Sequence, residues 1–224
     1  MRRRTRAALV GLAAGSLAAW AITRADRLRV WGATEWEQTA PMPGDEIVGE
    51  GPLYRSTRAV EVDAPPDQVW PWLVQLGQGR GGLYSYDWLE NLVGLDIHSA
   101  DEIVPALQDL SVGDEVRLTP PGTEPDLVFR MVRIEAPSLL VLGPSGTQEE
   151  AFSAGLPYPV WTFAVNPHPG GRSRLVVRFQ LQAPETRANR VVYGHLLGGV
   201  HFVMERRMLL GIKERAERTA RRGS

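Results

Sequence analysis

The sequence predicts an α+β domain in which an antiparallel sheet is combined with a long C-terminal helix. Three observations support this prediction. A strand-like segment precedes two segments with helical periodicity, five further strand-like segments are separated by Gly- and Pro-rich turns at hairpin-like intervals, and an amphipathic helix closes the domain. With 224 residues and 43% hydrophobic content, the chain is long enough for one domain with a substantial core.

The first strand is predicted over Tyr54–Ala64, where alternating and β-branched residues are typical of a strand. A helix follows, because its apolar residues fall on one helical arc: Val69, Trp70, Trp72, Leu73, Val74 and Leu76. Pro71 lies on the polar side of this helix but removes a backbone donor. We therefore expect the helix to be short or kinked.

A second short helix is predicted over Tyr84–Val93, with Ser85 able to cap it and Gly94 able to end it. On a helical projection one side carries the apolar residues Tyr84, Trp88, Leu89, Leu92 and Val93. The opposite side carries Asp87, Glu90 and Asn91. We expect the apolar side to face the core or a cavity wall and the polar side to face solvent.

The remaining elements are five strands and the closing helix. The strand-like runs occupy residues 114–119, 126–135, 138–143, 160–167 and 173–182. The closing helix is predicted over His201–Arg218, where one arc contains Phe202, Met208, Leu209, Ile212 and Ala216. Most arginines of this segment fall outside that arc, so the arc is expected to pack on the sheet.

The segment STRAVEVDAPPDQVWPWLVQLG, a strand that runs into Asp-Ala-Pro and then a helix with Val-Trp, resembles the opening of the polyketide cyclase/dehydrase and lipid-transport superfamily (START-like, SRPBCC). The later strands and the closing segment HFVMERRMLLGIKERAE agree with it in order. The resemblance implies a helix-grip domain over residues 54–218, with a curved sheet wrapped around the closing helix, often around an apolar cavity. It favours a hydrophobic ligand and assigns no catalytic residue.

The N-terminus carries a membrane-directed pattern, since a basic start precedes the apolar run Ala7–Thr23 of 17 residues. We predict a single membrane anchor or signal-like segment in residues 1–29, forming an apolar helix. Cleavage after the Ala-Trp-Ala of residues 19–21 and a buried or peripheral Ala-rich helix remain alternatives. The excess of arginines before the run favours an N-inside orientation, which places the domain on the non-cytoplasmic side. Residues 30–53 are predicted as a connecting arm and 219–224 as a basic tail.

Composition excludes several function classes. A formal net charge of -1 gives no electrostatic footprint for nucleic acid, so no nucleic-acid partner is predicted. The absence of cysteine excludes disulfides, thiolate metal sites and a cysteine nucleophile. Lys213 is the single lysine and lies in a charged C-terminal run, which argues against Schiff-base catalysis.

Two local motifs resemble a dinucleotide site and a metal site, but neither site is predicted. Gly77, Gly79 and Gly82 match the dinucleotide fingerprint G-x-G-x-x-G, but a helical segment precedes them where that motif needs a strand. We predict a loop between two helices instead. His98 lies near Asp96 and a second aspartate, yet no second histidine is close in sequence, so no metal site is predicted. No cofactor is predicted either.

The closing helix carries an unexpected carboxylate, because Glu205 projects to the centre of the apolar arc with His201 one turn earlier. A charge there must be paired with a sheet arginine or with His201, be protonated, or face a hydrated cavity. If the two groups line a pocket, they bind a ligand's hydroxyl or carbonyl, and Glu205→Gln alters ligand affinity while preserving the fold. The predicted ligand-binding set is Tyr84, Tyr86, Trp88, Trp161, His201 and Glu205.

Three functions remain open at the level of sequence. The leading interpretation is a membrane-tethered domain that binds a hydrophobic small molecule or lipid in a helix-grip cavity. The second is a cyclase- or dehydratase-type enzyme on a carbonyl substrate, with Glu205, His201 and Tyr84 or Tyr86 as acid, base or enolate-stabilising donors. The third is an interaction module whose cavity is filled by its own tryptophans and methionines. Whether the protein is an enzyme, which ligand it binds and its oligomeric state stay open.

Overall fold

A computed structural model describes residues 26–124, 126–193 and 197–223 of the chain. The strands are β1 Tyr54–Val62, β2 Glu115–Arg117, β3 Val128–Glu135, β4 Leu139–Gly143, β5 Tyr158–His168 and β6 Arg172–Gln182. The helices are α1 Glu35–Thr39, α2 Asp45–Val48, α3 Pro66–Val74, α4 Asp87–Leu92, α5 Gln148–Ser153, α6 Arg187–Val191 and α7 Leu197–Gly223, with a 3₁₀ turn at Pro105–Leu107. The predicted α+β order is confirmed.

The six strands form one antiparallel sheet in the order β1-β6-β5-β4-β3-β2. The chain order brings the first strand beside the last, with Tyr54 opposite Leu181. Strands β2 to β6 each pair with the next strand in the chain. Short turns join β3 to β4 and β5 to β6, whereas residues 118–127 connect β2 to β3 and residues 144–157, which include α5, connect β4 to β5. The sheet is curved and wraps around α7, which is the helix-grip arrangement implied by the resemblance.

Helix α7 packs on the sheet through the predicted arc. Met208, Leu209, Ile212 and Ala216 are buried, and Phe202 is half-buried. The helix is longer than predicted at both ends, and residues 219–223 of the predicted basic tail continue it. Helix α3 packs in the same core through Val69, Trp72 and Leu73, and it accommodates Pro71 in its last turn.

Alternation in the strands separates two faces of the sheet. The inner face carries large apolar side chains from β5 and β6, namely Trp161, Phe163, Val165, Leu175, Val177, Phe179 and Leu181. On β1 the same face carries Tyr54, Val60 and Val62, and also Arg58. A fully buried arginine between apolar neighbours requires a buried partner, which α7 supplies.

Residues 37–48 of the predicted connecting arm 30–53 pack over the outer face of the sheet, whereas Trp31 and Leu53 pack against the core that contains α7. Arg178 is 1% exposed on that face and donates hydrogen bonds to the carbonyls of Glu37 and Ala40 and to Asp45. Val48 packs in a second apolar cluster with Leu139, Val141 and Val160. These hydrogen bonds and apolar contacts hold the arm against the outer face of the sheet.

Helix α4 corrects the sequence prediction in extent and in orientation. It begins at Asp87, and Ser85 donates to the carbonyl of Met204 instead of capping α4. The expected apolar side is exposed, with Trp88 at 68%, whereas Glu90 is 3% exposed. Tyr84 has a left-handed backbone with φ of 54°, so it does not share the phase of the helix.

The polar side chains of α4 differ in burial, since Glu90 is buried, Asp87 is half-buried and Asn91 is exposed, and two of them bind the loop that follows. Asn91 donates to the carbonyl of Ile97 at 2.8 Å and accepts from its N–H at 2.6 Å. Asp87 accepts from the backbone N–H and the hydroxyl of Ser99 at 2.7 and 2.6 Å. These bonds satisfy loop backbone groups that would otherwise be unpaired near the core.

The glycine motif lies in the loop between α3 and α4, as predicted. Gly77, Gly79 and Gly82 all have positive φ, and Gly77 and Gly82 form an antiparallel bridge. The bridge makes the motif a tight local turn, and the sheet contains no parallel pair that could form a dinucleotide fold.

Within residues 26–124, 126–193 and 197–223, no helix has both the length and the apolar character needed to cross a membrane. The predicted N-terminal apolar helix, with its anchor at residues 7–23, lies outside the described residues and stays a prediction from sequence.

Candidate functional site

A cluster of polar side chains lies between the sheet and α7. Arg58 from β1 donates to Oε2 of Glu205 from α7, and both side chains are buried. The indole Nε1 of Trp161 donates to Oε1 of Glu205 at 2.9 Å. Arg58 also donates to the hydroxyl of Tyr54 at 3.1 Å and lies 3.0 Å from Nδ1 of His201. Each carboxylate oxygen of Glu205 therefore has a protein donor.

His201 in this cluster is neutral. Burial lowers the pKa of its imidazole from 6.5 to about 4; the nearby Glu205 opposes the shift and Arg58 adds to it. Because a guanidinium only donates, Nδ1 accepts from Arg58 and the ring proton resides on Nε2. Nε2 lies 3.6 Å from Oε1 of Glu205, so the N–H dipole faces the carboxylate.

Aromatic rings fill the space around this cluster. The ring centroid of Trp161 lies 4.9 Å from that of Phe163 and between 6.0 and 6.2 Å from those of Phe129, Phe179 and His201. Phe179 and His201 are in turn 4.4 Å apart. Of the alternatives for Glu205, the pairing with a sheet arginine is the one found, and His201 lies beside it.

An open depression lies on the surface between α7 and the segment that contains α4. Its volume is about 570 Å³, and it is lined by Tyr84, Ser85, Tyr86, Asp87, Trp88, Ser99, Asp101, Arg207 and Arg215. A second open depression, of about 640 Å³, is lined by residues of α2, the following turn and Arg55, without an aromatic side chain. Of these two depressions, the first is therefore the one whose lining combines aromatic side chains with arginines.

The polar groups of the first depression are held by contacts with their neighbours. Arg215 lies 4.9 Å above the ring of Tyr84 and pairs with Asp101 at 3.1 Å. Arg207 pairs with Glu214 at 3.0 Å on the exposed side of α7. The Tyr84 hydroxyl is itself buried and has no hydrogen-bond partner among the described residues. Burial raises its pKa to about 12, so this group stays a neutral phenol at physiological pH.

The predicted ligand-binding residues separate into two groups. Tyr84, Tyr86 and Trp88 line the depression, whereas Trp161, His201 and Glu205 belong to the buried cluster and are absent from its lining. Sequence reasoning missed further members, chiefly Arg58, Tyr54, Ser99, Asp101, Arg207 and Arg215. Arg58 was detectable, because it shares the inward register of β1 with Val60 and Val62. The remaining residues of this list come from separate segments of the chain that only the fold brings together.

His98 contributes to neither group. Its Nε2 lies 3.0 Å from Asp96, and both side chains are exposed. In the part of the chain that the structure describes, no group of three or more His, Cys, Asp or Glu residues could hold a metal ion.

Glu90 lies on the inward side of α4 next to the depression, and Oε2 has no hydrogen-bond partner among the described residues. Burial raises the pKa of its carboxyl from 4.5 to about 7, and the charge of Asp87 adds to the shift. Between these two pH values the folded protein binds more protons than the unfolded chain. The stability contributed by neutral Glu90 is therefore lost as pH rises from 4.5 through about 7.

Glu90→Gln removes this dependence, since the amide is neutral at every pH. Relative to the wild type, the free energy of unfolding of the variant should therefore be higher at about pH 8 than at about pH 5. Urea unfolding of both proteins at the two pH values measures this difference. His201 contributes with the opposite sign on the acid side, between 6.5 and about 4, but this contribution is common to both proteins and cancels. An equal change of both proteins with pH would contradict the assignment.

Comparison with known proteins gives structural similarity without sequence relatives. No protein-family model matches the chain, and no curated protein matches it. Norcoclaurine synthase from Thalictrum flavum is similar over 72% of this chain and 91% of its own, with 15% identity and a TM-score of 0.42. A protein from Nitrosomonas europaea covers 75% and 96%, with 11% identity and a TM-score of 0.47. The Aha1 dimer from Colwellia psychrerythraea covers 73% and 96%, with 13% identity and a TM-score of 0.38.

Proposed function

We propose that the domain binds a small amphipathic molecule, with an apolar or aromatic body and an acidic end, in the depression beside α7. The observation that carries this proposal is the lining of the open depression of about 570 Å³. It combines the aromatic side chains of Tyr86 and Trp88 with the guanidinium groups of Arg207 and Arg215. Ligand sites combine apolar walls with a few orienting polar groups, and guanidinium groups suit carboxylates. A fatty acid or an aromatic carboxylate has this chemistry.

The buried cluster supports a ligand site less well than the depression does. Glu205 already accepts hydrogen bonds on both oxygens, and the ring of Trp161 packs against three other aromatic groups. For the same reason an enzyme that uses Glu205 and His201 as acid and base has little support. The aromatic packing around Trp161 instead favours, as a second candidate, an interaction module that works through its surface.

We include membrane attachment in the proposal. The apolar run at residues 7–23 supports a single-pass anchor, and the arginines before it support a domain on the non-cytoplasmic side. A tethered domain with an open depression suits a ligand that reaches the protein from the membrane surface or from the surrounding solution.

Binding of 2-naphthoate to the full-length protein tests the proposal, with 2-naphthamide as the neutral probe of the same shape. We expect saturable binding of the carboxylate, and Arg207→Ala should weaken it about tenfold, which corresponds to about 1.4 kcal/mol. Tyr86→Ala should weaken both probes, because it removes part of the apolar wall. Titration by calorimetry measures the binding of both probes to the wild type and to each variant.

The matched control is Arg55→Ala, which removes a guanidinium from the second depression. This variant should bind 2-naphthoate like the wild type. Equal losses of 2-naphthoate affinity in Arg207→Ala and Arg55→Ala would mean that binding of the anion depends on the overall charge of the protein. Failure of both probes to bind would favour the interaction module.

A further inference from the structure

The outward side of α4 is apolar. Trp88, Leu92 and Val93 are between 68% and 75% exposed, whereas the polar side chains of the same helix bind the loop at residues 97–99. Exposing Trp88, Leu92 and Val93 together to water forgoes the stabilisation that burial of their apolar area would give. Contiguous exposed apolar side chains mark an interaction surface.

Helix α7 extends this surface. Val200 and Val203 are 66% and 46% exposed, and with Arg207 they share one side of the helix at spacings of three and four residues. Arg207 and Trp88 line the same depression, and Ser85 donates to the carbonyl of Met204 at 3.1 Å. The exposed sides of α4 and α7 are therefore neighbours. We call Trp88, Leu92, Val93, Val200 and Val203 together the outer apolar face.

The N-terminal part of the described chain lies at the other flank of α7. The ring of Trp31 contacts Phe202 edge-on at 6.5 Å, and the guanidinium of Arg206 lies 4.9 Å above Trp31. The carbonyl of Leu28 accepts a hydrogen bond from Arg58 at 2.9 Å, which fixes the chain there. The segment that leads to the N-terminus is thus held beside the turn of α7 that carries Val203.

The sequence that precedes Asp26 indicates what the outer apolar face contacts. The apolar run ends at Thr23, three positions before Asp26, the first described residue. Three residues span at most about 10 Å. If the run enters a membrane, the bilayer surface lies next to the first turns of α7 and therefore next to the outer apolar face.

We propose that the outer apolar face docks on the interface of a lipid bilayer. Tryptophan together with aliphatic side chains and flanking arginines is the composition of interfacial surfaces, where the indole lies at headgroup level. Arg206 lies over Trp31 and Arg207 lines the depression, so this turn of α7 presents a guanidinium group for lipid phosphate on each flank. This docking rests on the membrane attachment proposed above and goes beyond it, because it needs no bound small molecule and describes how the domain is oriented on the membrane.

The absence of cysteine allows a site-specific test on the full-length chain. Leu92→Cys places one thiol in the outer apolar face, and Leu156→Cys places one at an exposed leucine outside it. Each variant is labelled with a fluorophore and reconstituted into phosphatidylcholine–phosphatidylglycerol vesicles. Quenching by nitroxide-labelled lipid reports contact with the bilayer, and quenching by iodide reports contact with water.

We expect the label at Leu92 to be quenched severalfold more by the nitroxide lipid than the label at Leu156, and to be protected from iodide. Equal quenching at the two positions, with Leu92 open to iodide, would place the face in water and overturn the proposal. Protection from both quenchers would also overturn it, because another protein surface, such as a second copy of the chain, would then cover the face.

Discussion

Glu205→Gln lowers the free energy of unfolding by about 3–5 kcal/mol, because it leaves Arg58 as a buried guanidinium without a counter-charge. The amide also loses one of the strong acceptors used by Arg58 and by the indole of Trp161. Urea unfolding followed by far-UV circular dichroism measures the loss. This result differs from the expectation drawn from sequence, in which the substitution preserved the fold and altered ligand affinity.

Two further variants separate the buried pair from a general effect of removing a charge on α7. Glu214→Gln removes an exposed carboxylate that pairs with Arg207, and we expect it to cost less than about 1 kcal/mol. The double variant Arg58→Met/Glu205→Leu removes both buried charges and should recover much of the loss. If Glu205→Gln is no more destabilised than Glu214→Gln, the carboxylate is not a buried partner of Arg58.

Gly211→Ala destabilises the protein by about 1–3 kcal/mol through overpacking, although alanine in a helix interior is normally favoured over glycine by about 1 kcal/mol. A Cβ at position 211 would overlap the carbonyl oxygen of Tyr84 and lie 3.0 Å from its Cβ. Tyr84 has little freedom to retreat, because its backbone is left-handed and its ring contacts Trp72 at a centroid distance of 5.8 Å. Thermal unfolding measures the change.

Gly199→Ala is the matched control on the same helix. Apart from the chain neighbours and the backbone of its own helix, no heavy atom of the described residues lies within 4 Å of a Cβ at position 199, so the variant should be neutral or more stable by up to about 1 kcal/mol. The two substitutions are chemically identical and differ only in the neighbour. Similar effects at both positions would contradict the close approach of α7 to Tyr84.

The fold followed from sequence where a periodic pattern extended over many residues. The strands β1, β5 and β6 and the apolar arc of α7 each have long alternating or helical patterns, and their order in the chain gave the α+β fold class. Helix α4 has six residues, and its orientation was mispredicted because local hydrogen bonds of Asp87 and Asn91 outweigh the exposure of Trp88.

The candidate sites were less predictable because they depend on contacts between distant segments. Glu205 was recognised as anomalous from its place in the arc, but its partner Arg58 is 147 positions away. The packing of residues 30–53 had no periodic signal, since it depends on the fixed hydrogen bonds that Arg178 makes to backbone carbonyls. The depression joins residues 84–101 to α7, which no local pattern indicates.

Photo-crosslinking with a diazirine-bearing fatty acid tests most directly whether the ligand binds in the depression and not in the interior. The full-length protein is irradiated with the probe in detergent, digested, and the modified peptides are sequenced by mass spectrometry. The account predicts modification at residues 84–101 and 207–215, and loss of it in Arg207→Ala. Modification concentrated at Trp161, Phe179 or His201 would contradict the account, because it would place the ligand in the core between the sheet and α7.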